Sequence, residues 1–154
     1  REQWLRLMSL LTVVVLRSYG GVIMSFPWKT GAWAWIAALC VVGGKCIGGF
    51  ASDRFGEVRS ATVTLSAAAA ALIFSAFPLP GALGLLLFNM SMPVTLYAAK
   101  DILREGRATA FGLLTLGLFL GIMPAFSGAS GSGQDYAMIC LISIMLIRVG
   151  VGKR

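Results

Sequence analysis

Long apolar stretches separated by short polar turns fill almost the entire chain. A helix needs about 20 mostly apolar residues to cross a bilayer. Six stretches approach or exceed that length, at about residues 4–27, 32–52, 60–78, 80–99, 107–126 and 135–150. The pattern therefore predicts an all-α integral membrane protein, in which residues 1–154 form a single domain of six transmembrane helices.

The composition agrees with that interpretation. Of 154 residues, 58% are hydrophobic and 12% are charged, whereas soluble globular domains carry about 25% charged residues. The first stretch is too long and too polar at its centre for a secretory signal, so we expect a retained helix. The net charge of +7 would suggest nucleic acid as the partner of a soluble protein. In a membrane protein the positions of Lys and Arg report orientation instead, and we expect no nucleic-acid partner.

Basic residues are concentrated in alternate turns. If the six stretches cross the membrane in alternation, ten basic residues share one side and only Lys29 lies on the other. Cytoplasmic loops carry an excess of Lys and Arg, so we predict cytoplasmic termini in a multi-pass protein of the cell (inner) membrane. The ten residues are Arg1, Arg6, Arg54, Arg59, Lys100, Arg104, Arg107, Arg148, Lys153 and Arg154.

Nothing in the sequence favours an enzyme. Cys40, Cys46 and Cys140 fall inside apolar stretches, lack metal-ligand spacing and have no histidine to join them. Free cysteines of this kind are usually buried small apolar residues. Because the chain also has no nucleophile elbow and no phosphate loop, we expect no catalytic activity, no metal and no cofactor.

Two cations lie near the centres of apolar stretches that contain no acidic residue, Arg17 within residues 4–28 and Lys45 within residues 32–52. A charge at the bilayer centre costs about 2.5 to 3.5 kcal/mol on insertion scales, and such residues usually face a bundle interior or an aqueous cavity. We predict that both bind an anionic substrate. Arginine suits a carboxylate or phosphate through its planar fork, whereas lysine acts as a compact charge. Alternatively, Lys45 snorkels or hydrogen-bonds to main-chain carbonyls.

The fourth stretch contains Asn89 and Pro93. Proline has no amide hydrogen, so the Asn89 carbonyl loses its usual helical partner and we predict a kink at Pro93. Asn89 is the third predicted substrate-binding residue. The alternative is a hydrogen bond from its amide to a neighbouring helix.

No acidic residue lies in the interior of an apolar stretch, since Asp135 is the first residue of the sixth and the others lie outside. Proton-coupled transporters generally use a carboxylate or histidine within the membrane, and this chain has neither, so anion exchange or uniport fits best. The predicted cytoplasmic acids are Glu2, Asp53, Glu57, Asp101 and Glu105, and the outer one is Asp135.

Close backbone approach is predicted for two helices. Gly44 and Gly48 in the second stretch, and Gly117 and Gly121 in the fifth, keep a four-residue spacing. Residues four apart share one face of a helix, and small residues there allow neighbouring backbones to approach closely. Such faces serve ordinary packing, although they also suit helices that slide.

The loop at residues 49–59, called the signature loop below, resembles a known family pattern. Gly49, Asp53, Arg54, Gly56 and Arg59 resemble the loop between the second and third helices of each half of the major facilitator superfamily. The family pattern runs Gly, three variable residues, Asp, Arg or Lys, a variable residue, Gly, then basic residues. Glu57 departs from it, since a basic residue is usual there.

The resemblance extends further along the chain. Residues 88–124 look like helices ten and eleven of certain bacterial members, and with Glu57 this favours the carboxyl-terminal half. Full members have twelve helices in two related halves, with substrate held between them at mid-membrane. The resemblance therefore implies a partner half, which is either a second copy of this chain or a separate amino-terminal half.

Asp53 has a specific role in that family pattern. The resemblance implies that it latches the inner gate by reaching towards the fifth helix of the partner half. The alternative is a local pair with Arg54 or Arg59, of a kind that contributes about 0 to 1 kcal/mol.

Together these observations predict a secondary transporter, half-size or half of a full one, that moves a small organic or phosphorylated anion by alternating access. Two alternatives stay open. The chain is a non-transporting assembly or regulatory subunit whose cations pair with a partner's acids, or half of a drug or metabolite exporter.

Overall fold

The computed structural model describes residues 2–102, 107–128 and 131–151. Those residues form helices and turns without a strand, which confirms the all-α class. The helices are α1 (Glu2–Ile23), α2 (Ala32–Phe55), α3 (Glu57–Ile73), α4 (Pro78–Asn89), α5 (Met92–Ile102), α6 (Arg107–Ile122) and α7 (Gly133–Val151), with a 3-10 turn at Met123–Ser127. Arg1, Arg104, Glu105, Lys153 and Arg154, and the Arg107 side chain, lie outside the described part.

Four segments are long and apolar enough to cross a membrane, which marks the chain as a membrane protein. They are Glu2–Ile23, Ala32–Phe55, Pro78–Ile102 and Gly133–Val151. The other two predicted spans correspond to shorter helices, since α3 has 17 residues and α6 has 16.

The fourth predicted span is two helices. α4 ends at Asn89, Met90 and Ser91 form a turn, and α5 begins at Met92. Pro93 offers no N–H to the Asn89 carbonyl, and its ring crowds that carbonyl, so a regular helix cannot run through this point. At the break, the Phe88 carbonyl accepts hydrogen bonds from the Ser91 hydroxyl at 2.8 Å and from the Ser91 N–H at 3.4 Å.

A single glycine separates α2 from α3. Gly56 has φ of +85°, in the region that residues with a Cβ rarely adopt. Its N–H donates to the Ser52 carbonyl at 3.0 Å and closes the last turn of α2. The Gly in the signature loop therefore provides the reversal between two adjacent helices.

The helix packing has an internal two-fold pattern. The most extensive contacts join α3 to α7, α1 to α6, α1 to α7, α2 to α4, and α3 to α4. In this pattern α1 corresponds to α4, α2 to α6, and α3 to α7. The α1–α6 contact then corresponds to the α4–α2 contact, and the α1–α7 contact to the α4–α3 contact. The two three-segment halves of the chain thus share their main packing arrangement.

Glycines make the equivalent contacts in both halves. A Cβ on Gly44 or Gly48 would overlap the α4 backbone at Leu86 and the turn at Met90. In the other half, a Cβ on Gly117 would lie 2.9 Å from the Leu11 side chain, and one on Gly121 would overlap α1. The predicted close approach is therefore confirmed on both helices. In each pair the contacts advance in the same direction along both helices, so each pair of helices is parallel.

Candidate functional site

The three predicted substrate-binding residues line one groove. Arg17 of α1, Lys45 of α2 and Asn89 of α4 border a cavity of about 290 Å³, together with Lys29 and Met92. Helical geometry alone predicted the similar depth of Arg17 and Lys45. Their convergence requires that α1, α2 and the α4–α5 segment meet around one space, which the packing provides.

Arg17 lies on the buried face of α1. Leu10, Val14 and Gly20 are buried on the same face, because these positions recur at helical spacing. Only 8% of the Arg17 surface is exposed. Its Nη1 atom is buried and has no hydrogen-bond partner within the described residues. A buried guanidinium nitrogen without an acceptor is costly, so the site is suited to an anion that would accept from it.

Lys45 stands at the open edge of the groove. Gly44 and Gly48 are buried against α4, and Lys45 follows Gly44 by one residue, about 100° further round the helix. The Lys45 side chain is exposed while it lines the cavity. The glycine contact thus holds the lysine backbone close to Asn89 and leaves the ammonium accessible from the groove.

Asn89 closes α4 at the helix break. Its Nδ2 donates to the Leu85 carbonyl of the same helix at 2.8 Å, and not to a neighbouring helix as the alternative interpretation expected. Its Oδ1 accepts no hydrogen bond from the described residues. The Asn89 amide nitrogen carries a second hydrogen, which can donate to an anion in the groove, and the bond to Leu85 orients it.

Lys29 is a fourth polar residue of the groove, and sequence reasoning missed it. It lies in the connection between α1 and α2, where the sequence indicated only that it was the single basic residue of the outer side. Its position depends on Trp28, whose Nε1 donates to the Ser75 carbonyl at 2.8 Å. The Trp28 ring also packs on Gly81, where any Cβ would overlap it. These long-range contacts hold the turn over the groove.

The charges around the groove have one sign. Arg17, Lys29 and Lys45 contribute to the lining, and no Asp or Glu of the described chain does. The remaining walls are largely apolar, with Met24, Phe88 and similar side chains. A cleft with charges of one sign and low-dielectric walls focuses its field and attracts counter-ions.

The signature-loop residues form a second groove. Gly49, Asp53, Gly56 and Arg59 line a cavity of about 670 Å³ that continues to Pro93, Tyr97 and Val151, and Arg54 is exposed outside it. The Asp53 carboxylate is exposed and forms no ion pair within the described chain. The local pair with Arg54 or Arg59 is therefore not formed in this structure.

The signature-loop groove lies at one end of the bundle, whereas the Arg17 groove lies at mid-depth and extends to Lys29 at the other end. Gly150 of α7 packs on Leu10 and Arg6 near the start of α1, and Val151 borders the signature-loop groove. At the other end, the Tyr136 phenol contacts the Ile23 carbonyl at the end of α1. The described basic residues Arg6, Arg54, Arg59, Lys100 and Arg148 thus gather at the signature-loop end, away from Lys29.

Comparison of the chain with protein families, with curated proteins and with solved structures finds no match.

Proposed function

We propose that the chain is half of a secondary transporter, or a half-size transporter, that moves a small organic or phosphorylated anion by alternating access. The observation that carries this proposal is the groove in which Arg17, Lys45 and Asn89 come together. The Arg17 guanidinium is buried with one nitrogen unpartnered in the described chain. An anion bound there supplies the missing acceptor and the counter-charge together.

The two-fold packing pattern supports the transporter class. Inverted three-helix repeats occur within each half of major-facilitator transporters, and binding sites lie near mid-membrane where repeats meet. In this chain α1 and the α4–α5 segment are the equivalent members of the two halves. They carry Arg17 and Asn89, so the groove lies where the two repeats meet. The proposed transporter has six spans and cytoplasmic termini, and the gathering of the described basic residues at one end of the bundle supports that orientation.

A second six-helix half completes the proposed transporter. α2 is mostly exposed, and its exposed side chains include Trp35, Leu39 and Phe50. Lys45 and Asp53 are exposed on the same helix. The partner is another copy of this chain or a separate amino-terminal half. In either arrangement it covers the open side of the Arg17 groove, and Asp53 reaches its fifth helix.

Uptake by purified protein tests the proposal. The chain is reconstituted in lipid vesicles, its oligomeric mass is measured, and uptake of labelled organic anions is compared for wild type, Arg17→Gln and the end-of-bundle control Arg148→Gln. A homodimeric transporter shows uptake that Arg17→Gln abolishes and Arg148→Gln retains. An inactive monomer that still binds an anion through Arg17 indicates that the chain is one half of a transporter and needs a second half for transport. Absence of any Arg17-dependent uptake or binding overturns the proposal.

A second candidate is a non-transporting membrane subunit. The exposure of Lys29 and Lys45 favours this candidate, because both cations are accessible to carboxylates of another protein. In that case the vesicles show no uptake, and Lys45→Gln weakens assembly with the partner instead.

A further inference from the structure

The groove carries more positive charge than a single carboxylate neutralises. Arg17 comes from α1, Lys29 from the connection after it and Lys45 from α2, and the described lining has no acid. The three cations therefore approach the same space from three separate segments.

The three cations differ in burial, and this difference assigns them different roles. Arg17 is 8% exposed and has an unpartnered nitrogen among the described residues, so its need for an acceptor is local and strong. Lys29 and Lys45 are exposed and lack the enclosure of Arg17. They add a positive potential at the open side of the groove, where the apolar walls of Leu85 and Phe88 limit screening.

We propose that this groove selects dianions over monoanions, with Arg17 binding one charge and with Lys29 and Lys45 as specificity-determining residues for the second. This inference rests on the proposed function and names its substrate class. The ligand is a phosphate monoester or a dicarboxylate with a small apolar body. A phosphate monoester meets the requirement at neutral pH, since its second pKa is about 6.

The test compares ligands with the same apolar body and different charge. Phenyl phosphate and phenylmalonate are dianions at pH 7.5, whereas methyl phenyl phosphate and benzoate are monoanions. Each is titrated against the purified chain in detergent, with the thermal unfolding midpoint as readout, because a ligand that binds only the folded state raises it. We expect the dianions to bind at least about tenfold more tightly than their monoanionic partners.

Variants assign the second charge to the lysines. Lys29→Gln and Lys45→Gln each lower dianion affinity by about three- to tenfold and leave benzoate affinity within about twofold. Lys100→Gln, at the signature-loop end, changes neither. Equal affinities for monoanions and dianions, or lysine variants that leave dianion binding intact, overturn the inference.

Two further arms separate other outcomes. Arg17→Gln removes binding of all four ligands if the proposed site exists, and a cooperative thermal unfolding transition shows that this variant still folds. Arg17→Lys retains part of the binding. Binding of no ligand through Arg17 is a failure of the proposed function itself, distinct from a loss of charge selectivity. Arg17-dependent binding of phosphatidic acid in nanodiscs, without binding of soluble phenyl phosphate, assigns the same dianion chemistry to a lipid headgroup.

Discussion

Gly48 of α2 lies directly against the main chain of Met90, at the point where the fourth membrane segment is interrupted. The equivalent helices of the other half repeat this relationship, with Gly121 of α6 against the Val15 carbonyl and the Ser18 side chain of α1. Without these glycines the parallel helices could not approach so closely. The Arg17 groove depends on the Gly48–Met90 contact. That contact sets the distance between α2, which carries Lys45, and α4, which ends at Asn89.

Gly48→Ala should destabilise the protein. The added methyl group overlaps the Met90 backbone, which cannot move as a flexible side chain would, so we expect a loss of about 1–3 kcal/mol. Gly43→Ala is the matched control on the same helix, since a Cβ there meets nothing within 4 Å. Thermal unfolding in detergent measures both. Equal midpoints for the two variants would show that the α2–α4 contact is looser than described.

Pro93→Ala should make the fourth segment more continuous. The alanine supplies an N–H that can donate to the Asn89 carbonyl and removes the ring that crowds it. We expect amide hydrogens of residues 89–95 to exchange more slowly in hydrogen–deuterium exchange. Pro80→Ala is the control, because Pro80 lies in the first turn of α4, where a missing N–H costs no helical bond. Unchanged exchange around Met90 in Pro93→Ala would mean that other contacts hold the break open.

Tyr136→Phe should weaken the bundle at the Lys29 end. The phenol oxygen lies 2.9 Å from the Ile23 carbonyl and 2.7 Å from the Gly131 carbonyl, and the side chain is buried. Its one hydrogen is donated to either oxygen, and its removal costs about 0.5–1.5 kcal/mol or more, because buried acceptors remain. Tyr97→Phe is the exposed comparison. If both variants unfold at the wild-type temperature, the Tyr136 hydrogen bond adds nothing to stability.

Cysteine labelling tests the proposed orientation. In a chain whose native cysteines are replaced by alanine, a cysteine at Thr30 lies in the turn beside Lys29, and one at Phe55 lies in the signature loop. The excess of Lys and Arg at the signature-loop end predicts that end to be cytoplasmic. A membrane-impermeant thiol reagent added outside whole cells should therefore label Thr30→Cys and spare Phe55→Cys. The reverse pattern would invert the orientation.

Sequence reasoning named those residues of the candidate groove whose place depends on position along a helix. Arg17 and Lys45 lie near the middle of apolar stretches, and the fixed rise of a helix converts that position into depth. It missed Lys29, whose place over the groove follows from contacts of Trp28 with Ser75 and Gly81, far away in the chain.

The choice of helix partners was also beyond the sequence. The spacing of Gly117 and Gly121 identified a face for close packing but not that α1 would occupy it, because any helix with a complementary surface satisfies the same pattern. The Asn89 amide is a similar case. Its donation to Leu85 within α4, and not to another helix, depends on the side-chain conformation that it adopts at the helix end.

Protection of a single cysteine tests most directly whether an anion binds in the Arg17 groove. Met92→Cys places a thiol in that groove, and Tyr97→Cys places one in the signature-loop groove, both in the background without native cysteines. We predict that phenyl phosphate slows maleimide labelling at position 92, that Arg17→Gln abolishes this protection, and that labelling at position 97 is unaffected. Labelling at position 92 that no anion slows, or protection that persists without Arg17, would contradict an anion site at this position.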